Sequence, residues 1–149
     1  MKLIAAFFSV VLAGCAASGP PAPPLSQTLI LVEQNFEERG GLLPIIGTLT
    51  FTIAPDGAAT SICKRQIFTD VERRGGLSNE ARWELHTKVE AWTAKAGPSS
   101  APSPKSYGSL SYGDLKVTWE KDALLMPELA DLVAFLKVQT TTVSVVRKR

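Results

Sequence analysis

Between Ile46 and Ala54 the chain alternates with almost no exception: Leu49, Phe51 and Ile53 interleave with Thr48, Thr50 and Thr52. Successive side chains of a strand point to opposite faces, so a period of two predicts a strand with one apolar face and one hydroxyl face. Pro55-Asp56-Gly57 follows as a turn, Pro presetting φ and Gly supplying a positive φ. Residues 60–68 then return as a second strand, weaker in pattern and carrying Lys64 and Arg65. An earlier strand is predicted over residues 28–36, broken by Glu37-Glu38-Arg39-Gly40-Gly41.

The pattern changes after Ser78. Ser78 reads as an N-cap, with Glu80 in the first turn where it suits the positive end of the helix dipole. Ala81, Leu85, Val89, Trp92 and Ala96 fall within a stripe about 80° wide at 100° per residue, which predicts a core-facing helix. Gly97-Pro98 ends it. Residues 97–106 (GPSSAPSPKS) read as a flexible loop. A hairpin is predicted next, over residues 107–112 and 115–120 around Gly113-Asp114. Pro127 suits the first position of a second helix whose apolar face is Leu129, Leu132, Val133 and Leu136. Residues 139–146 (QTTTVSVV) read as a last edge strand or a frayed tail.

The order is strand, hairpin, helix, hairpin, helix. Elements in such blocks predict an α+β fold: an antiparallel sheet of four to six strands with two helices packed on one face. Residues 37–42 (EERGGL) and 72–77 (ERRGGL) are alike, but different elements follow them. Both read as loops, not as a duplicated module.

The N-terminus carries a different signal. Lys2 precedes an apolar run over residues 3–13, interrupted only by Ser9. Eleven residues are too few to span a bilayer, which takes about 20, and suit a signal-peptide core. The run closes in Leu12-Ala13-Gly14-Cys15, which resembles the lipobox of bacterial lipoproteins. The Cys15 thiol can carry a diacylglyceryl thioether, and the small residues Ala13 and Gly14 admit a protease to the Gly14–Cys15 bond. The resemblance implies removal of residues 1–14 and acyl chains such as palmitate on Cys15. It also implies outer-membrane anchoring with the domain in the periplasm of a Gram-negative envelope, because Ala16 rather than Asp follows the cysteine. One acyl chain binds a membrane only marginally and two anchor it stably. Residues 16–26 (AASGPPAPPLS) hold four prolines, which exclude a helix or a central strand. They read as an extended spacer of roughly 30 Å between Cys15 and a single domain over residues 27–149.

Charge and residue supply narrow the function classes. The 16 basic side chains less Lys2 leave 15 against 14 acidic, so the mature chain has a side-chain net charge of +1. That balance gives no reason to expect a nucleic-acid partner. Two cysteines and one histidine exclude Cys₄ and Cys₂His₂ zinc sites. With Cys15 consumed by lipid, Cys63 is left as a single thiol, so the domain is held by its core, and Cys63 reads as a small buried hydrophobe.

The domain resembles the emfourin family of small protein inhibitors of thermolysin-type metalloproteases. The likeness lies in the opening strand, the Gly-Gly loop Arg39-Gly40-Gly41-Leu42, and a helix rich in Leu, Trp and Glu. It continues in the hairpin containing Tyr112-Gly113-Asp114 and the helix that starts at Pro127. The resemblance implies that fold and inhibition through the Gly-Gly loop. The family carries a small hydroxylated residue before the glycine pair and a further Gly after it; here Arg39 and Pro44 stand at those positions.

Catalytic chemistry is poorly supplied. His86 is the one histidine available as a base, and Gly76-Leu77-Ser78-Asn79-Glu80 lacks the final glycine of a nucleophile elbow. Glu80 and Glu84 share a helix face without His or Asp partners. Neither glycine pair fits a phosphate-binding loop. No catalytic residue, metal or cofactor is expected, and a small hydrolase is the third reading. Trp83 is the residue out of place, about 160° from Leu85 and beside Thr87 and Glu90. An aromatic side chain on a polar face is a common interface anchor. Trp83, Thr87 and Glu90 are therefore the expected contact surface for a protein partner, on a monomeric domain. Arg147-Lys148-Arg149 reads as a solvated basic tail.

Overall fold

The computed structural model describes residues 19–38, 45–65, 69–100 and 105–145. The lipobox, the Gly-Gly loop around Gly40 and the basic tail lie outside the described residues. Four strands lead: β1 (Leu29–Glu38), β2 (Ile45–Ile53), β3 (Ala58–Arg65) and β4 (Val71–Gly76). Helix α1 (Asn79–Lys95), hairpin β5 (Gly108–Tyr112) and β6 (Leu115–Trp119), helix α2 (Pro127–Gln139) and the two-residue β7 (Ser144–Val145) follow. The strands form one antiparallel sheet in the order β6-β5-β1-β2-β3-β4-β7. This is an α+β fold, an antiparallel sheet carrying two helices.

The alternation in β2 sets the layers. Leu49, Phe51 and Ile53 are buried, and Thr48, Thr50 and Thr52 on the opposite face are partly exposed. Leu29 and Leu31 of β1, Ala59 of β3 and Leu110 of β5 join the buried face through the strand register. Leu85, Val89 and Trp92 of α1 cover it beside Leu129, Leu132, Val133, Phe135 and Leu136 of α2. The helices run antiparallel, bridged by Lys88–Asp131 at 2.5 Å and by Lys95–Glu128. The Asp131 hydrogen bond holds the Lys88 ammonium above its usual range, and Lys95 holds the Glu128 carboxyl below its own. Such exposed pairs set helix register more than stability.

Two close approaches shape the strand connections. Gly57 has φ +87° in the β2–β3 turn, where the Asp56 carboxylate accepts from the Ala58 amide at 2.9 Å. At Gly108 the Trp119 indole lies across the backbone, and a Cβ there would stand 2.3 Å from Trp119 Cε2. Gly108→Ala is therefore expected to displace the indole and cost about 1–3 kcal/mol, the usual range for overpacking. A urea titration monitored by circular dichroism measures it.

The structure refines several expectations. Residues 72–76, expected as loop, form most of β4. Val71 is the one apolar side chain in the strand, so no alternation marks it; β3 supplies its pairing partners along Ala58–Cys63. Its charged Glu72, Arg73 and Arg74 suit a strand near the sheet edge, and β7 pairs there with Arg73 and Arg74. Of the two readings of residues 139–146, the edge strand is present but short, Ser144–Val145; before it, the Thr140, Thr141 and Thr142 hydroxyls close the end of α2 on the carbonyls of Lys137, Val138 and Gln139. The loop after α1, expected as flexible, is tied down at its start. Ser100 donates its amide to the Lys116 carbonyl at 2.8 Å, and Ser99 Oγ accepts from the Lys116 amide, so the outer edge of β6 is held at Lys116.

The proline-rich segment departs furthest from expectation. Residues 19–26 do not stand off as a spacer; they lie on the domain as a strap. Ala22 and Leu25 are buried, Leu25 donating its amide to the Pro55 carbonyl at 3.0 Å. Ser26 meets the Tyr112 hydroxyl through both its amide and its Oγ. An extended proline-rich backbone has no internal hydrogen bonds, so its carbonyls are available to side chains of the domain.

Candidate functional site

The Ser78 hydroxyl accepts from the Ala81 amide at 3.1 Å and starts α1 as the sequence predicts. With Leu85, Val89 and Trp92 fixed in the core, the opposite side of α1 presents Trp83, Thr87 and Glu90, all exposed. The three residues named from the sequence thus share one stripe. Trp83 is 42% exposed. Thr87 Oγ1 donates to the Trp83 carbonyl at 3.1 Å, and Glu90 Oε2 lies 3.5 Å from His86 Nδ1.

The strap meets this helix at its first turns. Asn79 Oδ1 accepts from the Ala22 amide at 2.7 Å, and Asn79 Nδ2 donates to the Pro20 carbonyl at 3.0 Å. Trp83 Nε1 donates to the same Pro20 carbonyl, also at 3.0 Å. One amide side chain and one indole therefore clasp two residues of extended backbone. The polar edge of Trp83 is satisfied within the chain, and part of its ring faces outward.

No family model matches this chain, and no curated protein or solved structure matches it.

The side chains considered for catalysis have other occupations. The Ser78 hydroxyl caps α1, eight residues and roughly 12 Å of helix rise from His86. His86 faces Glu90. Cys63 is buried on β3, opposite Leu49 of β2. Glu84 lies 3.4 Å from Lys88, and Glu80 is exposed. Among the described residues, no group of three His, Cys, Asp or Glu side chains could hold a metal ion, and no helix is long and apolar enough to cross a membrane.

A second cluster escaped the sequence reading. Glu33 follows Leu29 and Leu31 in the inward column of β1 and is 4% exposed. Lys137, in the last turn of α2, reaches Glu33 Oε1 at 3.0 Å, while Oε2 is buried without a hydrogen bond. Burial and then the Glu33 carboxylate push the Tyr107 hydroxyl above its ordinary range. A register shift in β1 begins just after Glu33. The signal was present, a carboxylate at the third place of an apolar column. Elsewhere an open cleft of about 450 Å³ lies between β6 and α2, lined by Val117, Trp119, Leu125, Met126 and Leu129, with the fully exposed Leu124 on its rim.

Proposed function

We propose that this chain is a lipid-anchored envelope lipoprotein, acylated on Cys15, whose α+β domain binds another macromolecule and has no catalytic role. The outer face of α1, with Trp83, Thr87 and Glu90, is its contact surface. The observation that carries this reading is a tryptophan 42% exposed on a helix whose opposite stripe is fully used by the core. Large aromatic side chains are rarely left open to water and commonly anchor interfaces. The lipobox sequence supports the anchor. The alternative, inhibition of a thermolysin-type metalloprotease, rests on Arg39-Gly40-Gly41-Leu42 and places contact on a different part of the chain.

Two experiments test this. Cys15→Ser is expected to abolish acylation and leave unprocessed precursor; a normally sized acylated product from that variant would refute the anchor. A photo-crosslinking residue at position 87 or 90 in intact envelopes is expected to give a discrete adduct, and the same residue at position 50 on the hydroxyl face of the sheet to give none. Adducts from position 40 alone, to a metalloprotease, would favour the inhibitor reading. Adducts from no position would leave the α1 surface without a partner and sink the proposal.

A further inference from the structure

We infer that the Trp83 end of α1 is a membrane-contact surface, its indole seated in the lipid headgroup layer of the bilayer that holds Cys15. This rests on the lipid anchor proposed above and gives Trp83 itself to lipid, so that a macromolecular partner is left the Glu90 end of the stripe. The strap supplies the geometry. Because Asn79 and Trp83 hold Pro20 and Ala22, the leash between anchor and domain is not the whole proline-rich segment. Only four residue steps separate Cys15 from Gly19, a reach of at most about 14 Å. The Trp83 indole is 3.0 Å from the carbonyl of the next residue, Pro20. An exposed aromatic side chain of the domain therefore stands where the leash leaves it.

Three physical points favour lipid as the occupant of this end of the helix. A leash this short keeps the indole at a millimolar-scale effective concentration at the bilayer surface. An indole with an apolar ring and a satisfied N–H suits the interface, where tryptophan is enriched. Few cations stand nearby: Lys88 is shared between Glu84 and Asp131, and Arg82 is partly buried over Gly57 with its guanidinium towards the Ala22 carbonyl, so the contact rests on the indole and suits a zwitterionic headgroup layer. Glu80 is compatible with the ammonium of phosphatidylethanolamine. Glu90 lies seven residues further along α1, about 10 Å from Trp83 along the axis. That end of the stripe, away from the leash, is the part left for a macromolecular partner.

Tryptophan emission tests this in the full acylated protein. Trp92 and Trp119 are 1% and 9% exposed, so a lipid-borne quencher reads Trp83. The protein is reconstituted into phosphatidylethanolamine vesicles with a minority of phosphatidylglycerol, their acyl chains brominated near the headgroup or near the methyl end. Shallow bromines are expected to quench more than deep ones, and Trp83→Phe to lose that quenching. Asn79→Ala frees the strap and lengthens the leash, so quenching falls while vesicle association and circular dichroism stay unchanged. Vesicle-bound, acylated protein with equal emission in brominated and plain lipid would overturn the proposal and leave the anchor intact. An unmodified Cys15 thiol by mass spectrometry would overturn both.

Discussion

Trp92→Ala is expected to lower the unfolding free energy by about 3–5 kcal/mol, the range found when buried aromatic side chains are truncated. Trp92 is 1% exposed and belongs to the core that joins both helices to the sheet. Its removal leaves a cavity in that shared core, and the cost depends on how far the neighbours can close it. For a domain with a typical total stability of about 5–15 kcal/mol, the expected loss is about a fifth or more of the whole. Leu85→Ala, two stripe positions away, should cost about 2–5 kcal/mol. Thr87→Ala on the opposite face should cost less than about 0.5 kcal/mol. A urea series reads these as shifts in midpoint at constant slope. Equal small effects at 85, 87 and 92 would mean that α1 does not pack as described.

Some of this architecture is legible in the sequence, and the reason differs from element to element. The β2 strand announces itself because every other residue must face a covered layer, and threonine fills the places that need not. The α1 stripe is legible for the same reason at the helical period. The β4 strand is not, because pairing to β3 creates it; a strand near the edge with one apolar residue has no facial pattern to display. The strap is half legible. Four prolines predict extended backbone, but the residues that hold it, Asn79 and Trp83, stand 57 and 63 positions away from their partners Ala22 and Pro20. No local pattern encodes such a contact. At Trp83 the sequence marks the odd side chain, while its hydrogen bond to the strap becomes apparent from the tertiary arrangement.

The clasp also alters what a Trp83 substitution means. Trp83→Ala removes both an outward ring and a hydrogen bond to Pro20, which is worth about 0.5–1.5 kcal/mol net. A moderate fall in melting temperature is therefore expected even if the ring serves only a partner or a membrane. Trp83→Phe separates the two roles, because it keeps an aromatic ring and gives up the donor. Loss of contact in the Ala variant with retention in the Phe variant would assign the effect to the ring.

The buried ion pair carries the other large effect. Lys137→Met keeps the apolar stem that packs at the end of α2 and removes the ammonium from Glu33. The carboxylate then loses its cation in a site where its side chain is 5% exposed, with the Tyr107 hydroxyl as the polar group left beside it. Breaking a fully buried pair from one side costs about 3–5 kcal/mol. The Lys137 side chain is 42% exposed, so water already screens part of the attraction, and about 2–3 kcal/mol is expected. Replacing both partners should be far milder. Glu33→Leu extends the Leu29 and Leu31 column, and with Lys137→Met the double variant is expected within about 1 kcal/mol of the parent, because apolar substitution of a buried pair is often neutral or stabilising. A double-mutant cycle should then return a coupling of about 2 kcal/mol between positions 33 and 137. Additive single effects would show that Lys137 does not neutralise Glu33. A stable Lys137→Met variant would show that the carboxylate finds its partner elsewhere. The expected coupling would instead identify this pair as the tie that holds the end of α2 against β1.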